Sequence, residues 1–197
     1  VGTEASSMLT ENMAGHVTPD ELEYDGCPYD PEMAESMLDD AGYTGSPRFE
    51  TTLLSPKDTV RQNPALIIQE NLAQIDVNVN IREVSTSEYV ESYWGETDMS
   101  AREPMQMGLW ASDFPSPDGI LTPLFQSNQR PPGNNWFAYE NKEVDEIINS
   151  FTTSLNEDER ADLMKQANQI IVDQAPGIWL FHPDTTKAFN QKFNGYD

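Results

Sequence analysis

The sequence predicts an α/β fold, because segments with strand and helix periodicity alternate along the chain and are joined by short connections. Residues 77–84 alternate apolar and polar side chains, as a half-buried strand does. Residues 157–174 instead repeat apolar side chains at helical spacing. With 197 residues and 37% hydrophobic composition, the chain is long enough to bury a core. We therefore expect a largely covered sheet flanked by helices.

The first half of the chain predicts four segments in order. Residues 1–28 are rich in Gly, Pro and Asp and predict an irregular lead-in. Residues 30–42 predict a short amphipathic helix, with an Asp-Pro start and a Gly stop. Residues 49–56 predict a strand. The next helix begins near Asp58, and Pro64 within it marks a kink or a late start.

The second half continues the alternation of strands and helices. The clearest strand, at 77–84, is followed by a predicted helix at 86–96, with Tyr89, Val90, Tyr93 and Trp94 on one side. A short apolar run at 105–110 has the length of a strand. The remaining predicted elements are a short helix at 120–125, longer helices at 142–154 and 157–174, and a last strand at 177–182.

Acidic side chains outnumber basic ones by 34 to 11, which gives a formal net charge of −23 at pH 7. A field of this sign repels nucleic-acid phosphates and anionic lipid headgroups, so neither is an expected partner. A surface rich in Asp and Glu and poor in Lys is typical of proteins that work in molar salt, where charge repulsion is screened. We therefore expect a halophilic origin; the alternative is an ordinary acidic protein.

Residues that catalytic and metal sites commonly need are scarce. Cys27 is the single cysteine and is expected to be an inert, small side chain. His16 and His182 are the two histidines, and neither has a second ligand at zinc spacing. Neither a glycine-rich phosphate loop nor a nucleophile elbow occurs in the sequence. We therefore expect no catalytic residues, no metal and no cofactor.

The N-terminus and the hydropathy of the chain bear on its origin. No stretch approaches the roughly 18 apolar residues that a membrane span requires. The first residues have neither a basic head nor an apolar run, and the chain begins without Met. We expect a mature, trimmed or excised segment, in which a missing signal peptide says nothing about the compartment.

Residues 109–119, LWASDFPSPDG, are the most unusual stretch of the sequence. Two prolines restrict the loop, so its side chains are presented in fixed directions. Asp113 can receive an ammonium group through a charge-assisted hydrogen bond, and Trp110 or Phe114 can cover an apolar group or the cation itself. The structural alternatives are that Asp118 caps the following helix and that Trp110 belongs to the core. A further alternative is glycoside cleavage by the carboxylates of Asp113 and Asp118.

Four segments in order resemble the large extracytoplasmic substrate-binding proteins of ABC importers for di- and oligopeptides, solute-binding protein family 5. The family also includes nickel binders and some oligosaccharide binders. The segments are YDPEMAESMLDDAGY, ALIIQENLAQIDVNVNIREVSTSEY, MGLWASDFPSPDGILTPLFQS and NKEVDEIINSFTTSLNEDERADLMKQANQIIVDQAPGIWLF. The resemblance implies a periplasmic-binding-protein type II-like lobe with a mixed sheet. Residues 29–197 would then be the C-terminal ligand-binding lobe of a larger two-lobe protein, with residues 1–28 leading in from the preceding lobe.

The resemblance also implies a function without catalysis. Peptide would be captured between two lobes and delivered to permease subunits, by a monomeric, lipid-anchored protein at the outer face of the cytoplasmic membrane. In peptide-binding members, the Asp of a W-x-x-D loop pairs with the peptide's α-ammonium. That position is Asp113, with Trp110, Ser112 and Phe114 as the other expected ligand contacts. Arg102 and Arg130 are nearby in sequence, but neither lies in a motif that identifies a partner for the peptide carboxylate.

Three other functions stay open from the sequence. One is a binding protein of the same family for nickel or an oligosaccharide. Another is a glycosidase that uses a carboxylate pair. The third is a lobe that reports ligand occupancy to a membrane partner without import.

Overall fold

The computed structural model describes residues 2–23, 28–92 and 98–184. Within these ranges the helices are α1 (Pro31–Asp40), α2 (Thr59–Ala73), α3 (Thr86–Val90), α4 (Asp118–Phe125), α5 (Lys142–Thr153) and α6 (Glu157–Asp173). The strands in the same ranges are β1 (Gly2–Glu4), β2 (Phe49–Pro56), β3 (Val77–Val84), β4 (Met105–Gln106) and β5 (Phe181–Pro183). None of the helices in the described part of the chain is long and apolar enough to span a bilayer.

The main sheet is parallel and has the strand order β3–β2–β4. β2 and β3 pair along their whole length, from Phe49 opposite Val77 to Pro56 opposite Val84. β4 pairs with β2 through only two residues, and the Met107 amide then donates to the carbonyl oxygen of Leu54 at 2.9 Å. A separate antiparallel pair joins β1 to β5. The described chain thus combines parallel and antiparallel pairing in two sheets.

Both faces of the main sheet are covered, as the sequence predicted. On one face, Leu53 and Val77 pack with Ala65 of α2, and all three side chains are at most 2% exposed. On the other face, Leu54 packs with the buried ring of Tyr89 from α3. The alternation of side chains along β2 therefore supplies two hydrophobic clusters, one on each face. This arrangement confirms the expected α/β class.

A second and larger core lies among α4, α5 and α6. Phe125, Ile148 and Ile171, one from each helix, are almost completely buried there. Trp136 lies between this core and the cluster on the sheet, and it packs against both. The helical unit and the sheet are therefore joined through an aromatic side chain close to the 105–119 region.

The segment before α1 packs onto α6. Asn168 of α6 is 1% exposed, and its Nδ2 donates to Ser7 Oγ at 3.1 Å and to the Gly15 carbonyl at 2.9 Å. Gly15 has φ +79°, and a Cβ there would overlap Met164. Leu9 from the same segment is fully buried in the larger core. The lead-in is mostly irregular, but β1 and a 3-10 turn lie within it, and the boundary predicted at residue 28 stays a prediction.

Several predicted elements differ from the observed ones in their length. The apolar run 105–110 forms a strand only at Met105–Gln106, and the predicted strand 177–182 is replaced by Phe181–Pro183. Pro64 lies inside α2, which begins at Thr59, so the helix does not start late. The helix predicted at 86–96 is observed as α3 over Thr86–Val90, and residues 93–96 of that segment lie outside the described residues. The other helices and the remaining strands that were predicted match their segments within a few residues. Predictions made for Cys27, Tyr93 and Trp94 lie outside the described residues.

Candidate functional site

The carboxyl ends of the parallel strands β2 and β4 lie side by side, because Leu53 of β2 pairs with Met105 of β4. Ligands of open α/β sheets bind beyond the carboxyl ends of the strands. At this end β2 is followed by the exposed Lys57, and β4 is followed by residues 107–117, here called the 107–117 loop. The 107–117 loop therefore lies where this type of sheet favours a ligand.

Trp110 is held in this loop from two sides. Its Nε1 donates to the carbonyl oxygen of Gly119 at 2.8 Å. Its ring meets the ring of Trp136 edge-on, with the centroids 5.1 Å apart. Trp110 is half-buried, packs against the larger core and also lines a pocket beside the loop. Because its core contacts fix the ring while part of it faces the pocket, the structural role and a ligand role of Trp110 are compatible.

Ser112 and Phe114 form a turn over the start of α4. Ser112 Oγ donates to the carbonyl oxygen of Phe114 at 2.7 Å, and the Phe114 ring is 50% exposed. Gly119 lies directly below the turn. A Cβ at this position would overlap Ser112 Oγ and would lie 3.2 Å from Phe114 Cε2. The loop can approach α4 this closely because residue 119 has no side chain.

The carboxylate of Asp113 in the loop and the carboxylate of Asp118 at the start of α4 have different environments. Asp113 is exposed, whereas Oδ2 of Asp118 accepts hydrogen bonds from Arg160 Nη2 at 3.0 Å and from Ser116 Oγ at 3.2 Å. Asp118 is the first residue of α4, and Pro117 occupies the N-cap position. The predicted capping role of Asp118 is therefore wrong, because the residue lies inside the helix and its carboxylate bonds to α6 instead.

A pocket of about 550 Å³ adjoins the 107–117 loop. This volume is within the usual range for small-molecule sites, about 300–1,000 Å³. Among the four predicted ligand contacts, Trp110 lines the pocket, whereas Ser112, Asp113 and Phe114 lie outside its lining. The walls come from distant parts of the chain: α2 (Val60, Arg61, Pro64, Ile68), the β4 region (Met99, Met105, Gln106, Met107) and residues 175–183.

Among the described residues, three charged side chains line this pocket, and sequence reasoning singled out only one of them. Arg102 was noted for its position in the sequence alone; its Nη1 donates to the carbonyl oxygen of Trp136 at 3.3 Å. Arg61 is ion-paired with Asp58, the N-cap of α2. Glu103, the third, accepts a hydrogen bond from Arg82 Nε at 2.9 Å. No sequence motif joins these residues, because the chain fold alone brings them to one pocket.

His182 of β5 also lines the pocket. Burial lowers the pKa of its imidazole, and the neighbouring His16 lowers it further. Hydrogen bonds to the backbone of Ser7 and Leu9 act in the opposite direction but do not reverse the shift. The imidazole is therefore disposed to stay neutral, and the pocket wall at His182 is polar without a fixed charge.

Arg130, the second arginine noted from the sequence, lies elsewhere. Its Nη1 donates to Glu140 Oε2 at 2.8 Å, and the residue is absent from the pocket lining. Lys57, which sequence reasoning did not select, is instead the base that follows β2 at the site end of the sheet. The signal that identifies Lys57 is its position at a strand end, which depends on knowing the strand order.

An α/β unit with a shaped loop and a pocket at the carboxyl ends of its strands is the architecture of a ligand-binding lobe. Residues 1–132 of the chain match the family described as bacterial extracellular solute-binding proteins, family 5 middle. The match covers about two thirds of the chain. The chain belongs to this family.

The relatives of the chain are binding proteins. The chain is 32% identical over 178 residues to heme-binding protein A of Haemophilus influenzae. That alignment covers 86% of this chain and 30% of the heme-binding protein. It is 29% identical over 175 residues to the glutathione-binding protein GsiB of Salmonella typhimurium. That alignment covers 88% of this chain and 34% of GsiB. The chain thus spans about a third of the length of the curated relatives it matches.

The fold is also that of solved periplasmic binding proteins. The ABC transporter-associated periplasmic binding protein DppA from Helicobacter pylori, solved in complex with the peptide STSA, superposes with a TM-score of 0.79. That comparison covers 92% of this chain and 34% of that structure, at 24% sequence identity. The expected periplasmic-binding-protein type II-like lobe is therefore confirmed.

Proposed function

We propose that the chain is the ligand-binding lobe of a substrate-binding component of an ABC importer and that it helps to capture peptides. The 107–117 loop supports this proposal most directly. It holds Trp110 rigidly, through the Gly119 carbonyl and Trp136, at the end of the sheet where ligands bind. Three residues later it presents the exposed carboxylate of Asp113. A fixed aromatic ring beside an accessible carboxylate suits a ligand that carries an ammonium group and apolar side chains.

The proposed roles of the loop residues follow from their contacts. Asp113 pairs with the α-ammonium of a peptide, and Phe114 covers the adjacent apolar surface with its exposed ring. Ser112 contributes by holding the turn, since its hydroxyl donates to the Phe114 carbonyl. Trp110 forms the border between the loop and the pocket.

The wider setting is part of the same proposal. The protein acts without catalysis, outside the cytoplasmic membrane, and passes its ligand to permease subunits; a lipid anchor would hold the full-length protein at the membrane. Membership of a family described as extracellular supports the location. The peptide bound to the Helicobacter pylori protein supports the ligand class. Curated relatives are named for heme and for glutathione.

The test compares free and blocked peptides. Trileucine and N-acetyl-trileucine are titrated into the full-length protein that contains this lobe, and binding is followed by tryptophan fluorescence. Asp113→Asn should weaken binding of trileucine about two- to five-fold, because an exposed ion pair contributes up to about 1 kcal/mol. The same substitution should leave binding of the acetylated peptide unchanged, because that peptide has no ammonium group.

The matched control is Asp40→Asn, which removes an exposed carboxylate from α1, an element that does not line the pocket. This variant should bind trileucine as the parent does. An unchanged affinity of Asp113→Asn for trileucine would remove Asp113 from the site. Failure of trileucine to bind at all would count against the peptide proposal.

A further inference from the structure

β3 is an edge strand of the main sheet, and its outer side lacks several of the features that usually protect an edge. In the strand order β3–β2–β4, no strand of the described ranges pairs with the outer side of β3. The strand is eight residues long and pairs with β2 in continuous register, without a bulge or a proline. Proteins commonly blunt an exposed edge with a short strand, a bulge, a proline or a charge. The outer side of β3 is therefore suited to pair with a further strand.

One backbone hydrogen bond assigns the groups on the outer side of β3. The Lys57 amide, directly after β2, donates to the Val84 carbonyl oxygen at 3.0 Å, so Val84 directs its carbonyl towards β2. Because this direction alternates along a strand, Val79 and Ile81 direct their N–H and C=O groups outwards. The bond from Gln69 Nε2 of α2 to the Val79 carbonyl oxygen, at 2.6 Å, agrees with this assignment, since β2 would otherwise occupy that acceptor. Gln69 thus caps one acceptor of the outer side.

The charge of β3 differs from that of the chain as a whole. Acidic residues make up 34 of the 197 residues, but residues 77–82 contain none. The exposed side chains of this stretch are Asn78, Asn80 and Arg82. Glu88 and Glu103 approach the strand as ion-pair partners of Arg82, which balances part of their charge. A second copy of so acidic a chain is repelled by most of the surface, but it meets little repulsion along this strand.

α2 supplies exposed apolar side chains beside the same edge. Gln62 and Gln69 mark the stripe of the helix that lies over β3, because Gln62 Nε2 donates to Glu83 Oε1 at 2.8 Å and Gln69 bonds to the strand as described above. Leu66 lies between the two glutamines at helical spacing and is 50% exposed, and Ile67 next to it is 55% exposed. The strand Val77–Val84 together with these two apolar side chains is here called the β3–α2 edge. An open strand edge that continues into exposed apolar side chains is typical of an interaction surface.

The β3–α2 edge is complementary to itself under a two-fold rotation. When two β3 strands pair antiparallel about Asn80, Val79 of one copy faces Ile81 of the other, and their outward backbone groups exchange hydrogen bonds. The two Asn80 side chains then lie directly opposite each other at a close pair of the ladder. Leu66, which α2 places between the positions of Val79 and Glu83, comes near the same axis in both copies. The rotation therefore brings backbone donors to acceptors and leucine to leucine.

We infer that the β3–α2 edge binds a second copy of this chain, in a two-fold dimer that joins the two three-stranded sheets into one. The pocket stays open in this dimer. Pro64 and Ile68 of α2 line the pocket, whereas Leu66 and Gln69 do not. β4, which also lines the pocket, lies on the opposite side of β2 from β3. Self-association thus goes beyond the proposed function and is compatible with it.

The test measures the oligomeric state of the full-length protein that contains this lobe, by sedimentation equilibrium. At about 0.5 M KCl, where repulsion between distant carboxylates is screened, the parent should show a monomer–dimer equilibrium. Asn80→Asp and Asn80→Lys each bring like charges together across the axis and should each weaken dimerisation at least about fivefold. An equimolar mixture of the two variants should dimerise at least as well as the parent, because opposite charges then face each other. Asn80 is exposed, so both variants should keep the fold of the parent.

Matched variants separate this interface from a general effect of charge. Asn12→Asp and Asn12→Lys change an exposed asparagine of the N-terminal segment and should dimerise as the parent does. Leu66→Ser should weaken dimerisation, whereas Gln69→Ala should strengthen it, because the Val79 carbonyl loses its competing donor. A parent that stays monomeric at every concentration would overturn the inference. Dimerisation that is unchanged in both Asn80 variants, or that the mixture does not restore, would overturn it as well.

Discussion

At the scale of single residues, the geometry of the candidate site depends on Gly119. This residue is buried at the start of α4, where its carbonyl accepts the Trp110 indole N–H. The absence of its side chain makes room for Ser112 and Phe114. One glycine thus links the fixed aromatic ring to the turn that carries Asp113.

Gly119→Ala should displace the loop without unfolding the protein. The added Cβ would overlap Ser112 Oγ, and the 107–117 loop is the part of the contact that can move, since α4 is anchored in the larger core. We expect trileucine to bind several-fold more weakly and the tryptophan emission to shift, with an unfolding midpoint within a few degrees of the parent. Ser112→Gly in the same background removes the overlapping hydroxyl and should restore part of the binding. Parent-like binding by Gly119→Ala would show that the loop position does not matter for the ligand.

At the scale of secondary-structure elements, β5 connects the N-terminal segment with the pocket. β5 pairs with β1, and the imidazole of its His182 bonds to the backbone of Ser7 and Leu9. His16 approaches the same turn, with its Nδ1 2.9 Å from the Leu9 carbonyl oxygen. The two histidines of the chain therefore meet, although 166 positions separate them in the sequence.

This arrangement predicts a loss of stability at mildly acidic pH. The folded pKa of His182 lies below its ordinary value of 6.5, mainly through burial and secondly through His16, while Glu11 acts in the opposite direction. The unfolded chain therefore takes up a proton as the pH falls through about 6.5, and the folded chain resists it until a lower pH. The free energy of unfolding should decrease as the pH is lowered from about 7 to about 5.5.

Chemical unfolding at several pH values measures this effect. His182→Gln should flatten the slope in this window, because the group that titrates differently in the two states is gone. His16→Gln should leave part of the slope, because burial of His182 remains. Equal slopes in the parent and in His182→Gln would contradict the assignment.

Elements with a strong internal pattern were predictable from the sequence, whereas the pocket was not. β3 has strict alternation, and α1 has Asp30 as a cap that accepts from the Met33 amide, so both were placed correctly. The run 105–110 is apolar throughout, so its periodicity did not show that strand pairing ends at Gln106. Arg61, Gln106 and His182 belong to three separate elements, and only the tertiary fold brings them together.

The loop that carries the candidate site was recognised for a local reason. Trp110, Asp113 and Phe114 are close in sequence, so their chemistry could be seen without knowledge of the fold. The role of Asp118 was misjudged because its partner Arg160 lies on α6, 42 positions away. Local chemistry was thus readable from the sequence, and long-range pairing was not.

At the scale of the whole molecule, the balance of acidic and basic side chains differs between the exposed surface and the pocket. Seven acidic side chains form ion pairs within the described residues, out of 34 in the chain. Such exposed pairs contribute about 0–1 kcal/mol each, so they offset little of the repulsion among the remaining carboxylates. Among the described residues, one acid and two arginines line the pocket, and one of these arginines, Arg61, is itself ion-paired with Asp58.

The net charge of −23 predicts that salt stabilises the fold. The Debye length falls from about 10 Å at 0.1 M salt to about 3 Å at 1 M, which screens repulsion among exposed carboxylates. The temperature midpoint of unfolding should therefore rise with KCl concentration. The triple variant Asp40→Asn, Glu70→Gln, Asp162→Asn should be more stable than the parent at low salt. Its midpoint should also rise less with KCl than that of the parent. These three side chains are exposed, and no ion pair of theirs is found in the described part of the chain, so neutralising them removes repulsion alone. A parent midpoint that stays flat with KCl would show that the acidic surface is not under repulsive strain, and would favour an ordinary acidic protein over a halophilic one.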